Sequence, residues 1–160
     1  MSQVIFYILP QQQASKRPNL SSHFAQACSI AAFYYQQNSK VFIYTDNQQD
    51  AFSVDEYLWQ FDGDSFVPHN LLGEGPHYGT PVEISWQAPT HPRQILINLS
   101  TNAPDFAINF QQIIDFVPSM EQLKMAARTR YSTYKKMGLT LSTQTVSNKQ
   151  AVELTNKTEE

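Results

Sequence analysis

A three-layer α/β domain on a mainly parallel sheet is the fold that this sequence predicts. Short, nearly continuous apolar runs at residues 4–9, 40–45 and 94–99 read as strands buried on both faces. Segments with apolar residues at helical spacing alternate with such runs, as a βαβ succession requires. Right-handed crossovers then put helices on both faces of the sheet. The 160 residues, 41% of them hydrophobic, suffice for one domain with a sizeable core. The expected domain spans residues 1–145, followed by a polar, mobile tail over 146–160.

The elements follow in order. Residues 4–9 form the first strand, ended by Pro10, and a polar QQQ-containing connector follows. Phe24, Cys28, Ala31 and Ala32 then recur at helical spacing over 22–37, with Ser21 or Ser22 as the N-cap. KVFIYT at 40–45 is a second buried strand. Asp46 or Asn47 caps a helix that carries Ala51, Val54 and Leu58 on one face and Phe52 and Trp59 on another. The Pro/Gly-punctuated stretch 61–79 reads mostly as loop, with a brief extended piece at 65–67. Strands follow at 82–86 and 94–99, a short helix at 105–112 and a short apolar run at 113–117. Beyond Leu141 the chain is polar and without convincing periodicity.

Five of the eleven Lys and Arg residues fall within residues 124–136, in a chain of net charge −3. Taken as a helix from about Ser119, this segment advances about 100° per residue. Lys124, Arg128, Tyr131 and Lys135 then share an arc of roughly 60°. Met120, Leu123, Ala127 and Tyr134 form a neighbouring apolar stripe facing the core. Glu121 is the sole acid of the helix, so the arc suits an anionic partner from outside. The competing reading of the same pattern is an ordinary solvated helix face. A tyrosine inside the stripe and a strand end at DFVP, 115–118, favour a small apolar hollow flanked by cations.

Several chemistries lack their residues. Pro10 and three glutamines follow the first strand where a dinucleotide fold needs G-x-G-x-x-G, and no G-x-x-x-x-G-K-[ST] occurs. No pair among His23, His69, His77 and His91 has metal-ligand spacing; only His69, Glu74 and His77 share a loop. There is no G-x-S-x-G elbow, and Cys28 reads as a buried, inert thiol in a reducing compartment. Acid pairs such as Asp55/Glu56 read as ordinary exposed carboxylates. The reading is therefore no catalytic residue, no cofactor and no metal. The N-terminus lacks a signal-peptide pattern, and no apolar run approaches the ~20 residues of a membrane span, so a cytoplasmic protein without membrane contact is expected. Net negative charge argues against tight direct binding of DNA.

The segment SFVPHNLLGEGP at 65–76, preceded by DEYLW at 55–59, carries large apolar residues in an irregular stretch. These either fold back into the core or form a patch that docks another subunit. Together with PVEISW at 81–86, ILINLS at 95–100, DFVP at 115–118 and the Lys124/Ala127/Arg128/Tyr131 pattern, it resembles the chi subunit of the bacterial DNA polymerase III holoenzyme. The resemblance covers residues 4–145. It implies a Rossmann-like α/β domain without a nucleotide site and a non-catalytic accessory subunit of the replicative polymerase. The implied role is a bridge between the psi subunit of the clamp loader and the acidic C-terminal tail of single-stranded DNA-binding protein (SSB), with DNA reached only through SSB. It implies Lys124, Arg128, Tyr131, Val117, Thr143 and Lys135 as the tail-binding residues, and Phe66, Trp59 and Leu71 as the psi-facing ones. The alternatives from other classes are an α/β enzyme and a direct single-stranded DNA binder.

Overall fold

In the computed structural model, residues 2–10, 22–59, 68–71, 81–89 and 93–145 are described. Their strands are β1 (Gln3–Ile8), β2 (Val41–Tyr44), β3 (His69–Leu71), β4 (Val82–Ser85), β5 (Ile95–Asn98), β6 (Gln112–Val117) and β7 (Thr140–Thr145). Helices α1 (Ser22–Gln36), α2 (Gln48–Trp59) and α3 (Glu121–Lys136) join them, with a 3-10 helix at Asp105–Asn109. The strands form one sheet in the order β3-β4-β2-β5-β6-β1-β7, and every neighbouring pair is parallel.

Alternation along the strands distributes the core between two layers. Tyr7, Ile43, Ile84, Ile97, Ile114 and Phe116 pack with Ala27, Cys28 and Ala31 of α1 and Val54 and Leu58 of α2. Val4, Phe6, Phe42, Leu96 and Ile113 pack on the opposite face with Phe110 and with Ala127 and Tyr134 of α3. The three-layer α/β architecture expected from the apolar runs is the one observed. Asn47 caps α2, its Oδ1 accepting the Asp50 N–H at 2.8 Å. Cys28 is fully buried, and burial pushes its thiol pKa far up, so it stays protonated.

Four sequence expectations need correction. Residues 69–71, read as loop, form β3 at one sheet edge, and the stretch just beyond Leu141, read as aperiodic, belongs to β7 at the other. The helix starts at Glu121 rather than near Ser119, and Met120 is 55% exposed instead of facing the core. Asp55 is not an ordinary exposed carboxylate, because its Oδ1 lies 3.3 Å from Nε2 of the buried His69. The extended piece at 65–67 and the tail 146–160 lie outside the described residues.

One polar cluster fixes α3 on the sheet. Asp115 of β6 is fully buried, and Arg130 Nε donates to its two oxygens at 3.0 and 3.1 Å. Arg130 Nη2 lies 3.0 Å from Oδ1 and donates to the Phe116 carbonyl at 3.0 Å, while Nη1 donates to that of Thr101 at 3.1 Å. Tyr134 Oη donates to Asp115 Oδ2 at 2.8 Å, and Asn98 Nδ2 reaches the same oxygen at 3.1 Å. Burial pushes the Asp115 pKa up, and Arg130, Tyr134 and Asn98 pull it back by stabilising the carboxylate.

Removing one member of such a pair strands a buried charge. Arg130→Ala is expected to cost about 3–5 kcal/mol in urea unfolding. Arg128→Ala, about half a turn away on the exposed side, should cost less than about 0.5 kcal/mol. Similar losses in both would mean that the Asp115 cluster does not anchor the helix.

Candidate functional site

The inward grip of Arg130 decides which side of α3 faces out. Arg130 lies between Ala127 and Tyr134 in sequence and shares their buried side of the helix. From that phase, about 100° per residue sends Tyr131, Lys124, Lys135 and Arg128 to one flank. On this flank Tyr131 is 37% exposed, and its ring packs 5.6 Å from that of Phe6 in β1. Phe6 is in register with Thr143 of the edge strand β7, and Ile8 with both Val117 and Thr145.

Five of the six expected tail-binding residues therefore fall around one groove between α3 and β7. Tyr131 and the half-buried Val117 contribute to its floor, Thr143 is exposed on its strand side, and Lys124 and Arg128 rise from α3. Lys135, the sixth, continues the same flank one turn beyond Tyr131 and is exposed. Among the described residues, no carboxylate lies within ion-pair distance of Lys124, Arg128 or Lys135. Sequence reasoning missed Phe6 and Leu141, which complete the apolar floor. It also left Arg130 without a role, although its position between Ala127 and Tyr134 marks it as inward.

The opposite flank of α3 borders a crevice of about 310 Å³ at the carboxyl ends of β2, β5 and β6. Open α/β sheets commonly bind ligands at this location. Here its walls include Asp46, Asp50, His23 and the paired Asp115 and Arg130. Asp46 Oδ1 accepts the Thr101 N–H at 2.9 Å and Oδ2 the Thr101 hydroxyl at 2.6 Å, so a carboxylate occupies ground that a phosphate would need. Burial, then the neighbouring Asp46, raises the Asp50 pKa. Among the described residues, no group of three His, Cys, Asp or Glu side chains could hold a metal ion, and no helix is long and apolar enough to cross a membrane.

At the far end of the sheet, Trp59 closes α2 with 61% exposure, its ring 4.9 Å from that of His69 in β3. Phe52, 46% exposed on the same helix, meets Trp86 edge-on at 6.3 Å. Leu71 is 6% exposed and packs into the α1/α2 core, so its side chain follows the folded-back reading. Phe66 lies outside the described residues.

Residues 1–142 match the family model described as "DNA polymerase III chi subunit, HolC". The chain belongs to this family. The DNA polymerase III subunit chi of Haemophilus influenzae is 46% identical over 122 residues, covering 75% of this chain and 85% of that protein. The chi subunit of Escherichia coli strain K12 is 40% identical over 147 residues, 91% of this chain and 99% of the relative. That of Pseudomonas aeruginosa is 30% identical over 142 residues, 88% and 94%. Among solved structures, T4 UvsW superposes with a TM-score of 0.53 at 9% identity, over 91% of this chain and 41% of that one. This last likeness is one of fold alone. Membership in the chi family makes the chain an accessory subunit of a replicative polymerase.

His23 supplies a test of the crevice. Burial and then the Arg130 charge lower its pKa to about 4. The unfolded chain protonates near pH 6.5, so stability is whole above that pH and declines as pH falls toward 4. The expected loss is on the order of 2–3 kcal/mol. Urea unfolding across this range should show a shallower decline in His23→Gln. An unchanged slope would remove His23 as its source.

Proposed function

We propose that this chi-family chain is a non-catalytic bridge. Its α3–β7 groove binds the acidic C-terminal tail of SSB, and its Trp59 end, with Phe66, binds the psi subunit of the clamp loader. DNA is reached only through SSB. The observation that carries this reading is a set of three cations around Tyr131 and the exposed edge strand, without a carboxylate partner among the described residues, in a protein of net charge −3.

Each group has a distinct role. Arg128 pairs its planar guanidinium with the terminal carboxylate of the tail. Lys124 and Lys135 attract the upstream acids. Tyr131, Val117 and Phe6 receive the terminal phenylalanine, and Thr143 bounds it from the strand side. Trp59 presents aromatic surface to psi, as interface hot spots do, Phe66 is assigned to the same partner, and Leu71 supports that end from within the core. The two surfaces are supported as separate by the sheet order, since β3 and β7 are its opposite edges. Six strand spacings of about 4.8 Å put roughly 30 Å between those edges.

A fluorescent acidic peptide ending in Pro-Phe tests the groove by anisotropy. Micromolar binding, about −8 kcal/mol, is expected, and it should weaken as salt rises. Arg128→Ala should lose about 2 kcal/mol, roughly 30-fold in affinity, while remaining folded. Salt-independent binding, or full affinity in Arg128→Ala, would overturn the assignment.

A further inference from the structure

The outer edge of β7 has chemistry that side-chain contacts alone leave unused. Thr140 donates its N–H to the Ser2 carbonyl at 3.3 Å, and the β1–β7 ladder is parallel. In such a ladder alternate residues turn their backbone groups to the same neighbour. Thr140, Ser142 and Gln144 thus face β1, and Leu141, Thr143 and Thr145 turn their N–H and C=O groups outward. Among the described residues, no strand lies beyond β7.

Edges of this kind are usually blunted by charge, proline or a bulge. β7 reads TLSTQT, without a charge or a proline, and pairs with β1 over all six residues without a bulge. Its outward-turned residues also lie on the α3 face, because Leu141 and Thr143 are in register with Val4 and Phe6, which pack under α3. Alternate side chains of an added strand would therefore point to the flank bearing Lys124, Arg128 and Lys135. The lengths agree: the eleven helical steps from Lys124 to Lys135 rise about 16 Å, and six residues of strand span about 17–20 Å.

We infer that an extended acidic peptide docks here by strand addition, its backbone pairing with the outer edge of β7 while its carboxylates face the α3 cations. This rests on the tail-binding reading above and adds a main-chain component to it.

Peptides with single backbone esters separate the two. Each ester removes one N–H donor and leaves every side chain in place. Esters in one alternating phase should weaken binding about fivefold each, and esters in the other phase should not. Amide exchange at Leu141, Thr143 and Thr145 should slow at saturation with the all-amide peptide. If esters in both phases bind like the all-amide peptide and exchange is unchanged, strand addition is wrong and the groove reading survives. If those amides are already protected in the free protein, another part of the chain covers the edge and the inference is overturned. If the all-amide peptide does not bind, the reading of the groove fails, and strand addition with it.

Discussion

The Asp115–Arg130 pair is the constraint on which the rest depends. A fully buried carboxylate costs several kcal/mol unless its oxygens are satisfied. Here Arg130, Tyr134, Asn98 and the Phe116 N–H all converge on it. Two of those donors are on α3, three and seven residues beyond Ala127, so satisfying Asp115 sets the rotation of the helix. That rotation commits one flank to the acidic crevice and the other to β7. The basic arc is therefore a consequence of how a buried charge is paired, and not only of where lysines and arginines occur.

The same sheet separates the two surfaces of the molecule. The crevice at the strand ends, where relatives of this architecture hold ligands, is walled by Asp46 and Asp50 and gripped by internal hydrogen bonds. The exposed aromatic and cationic features of the described residues lie at the two edges instead. One edge carries exposed aromatic surface from Trp59 beside β3, and the other carries cations beside β7. A rigid sheet with chemically different ends suits a protein that holds two partners apart.

Much of the fold was legible because central parallel strands leave a strong trace. Residues 4–9, 40–45 and 94–99 are apolar on both faces since helices cover both. The edge strands leave none: β3 has three residues, and β7 is largely exposed, so neither needs an apolar run. On α3, helical period alone grouped Lys124, Arg128, Tyr131 and Lys135. It could not supply Phe6 beneath Tyr131, because that contact joins residues 125 positions apart. The role of Arg130 was not legible, since nothing in the helix itself shows that a buried acid, Asp115, lies opposite it. Leu71 shows the converse, an apolar residue in an irregular stretch that fills the core.

The bridge account is tested most directly by asking whether both ends can be occupied together. The protein would be saturated with psi, and the acidic peptide then titrated by anisotropy. Edges about 30 Å apart on one sheet predict a peptide affinity within about twofold of that of the free protein. Displacement of one ligand by the other would place both at the same surface and contradict the account.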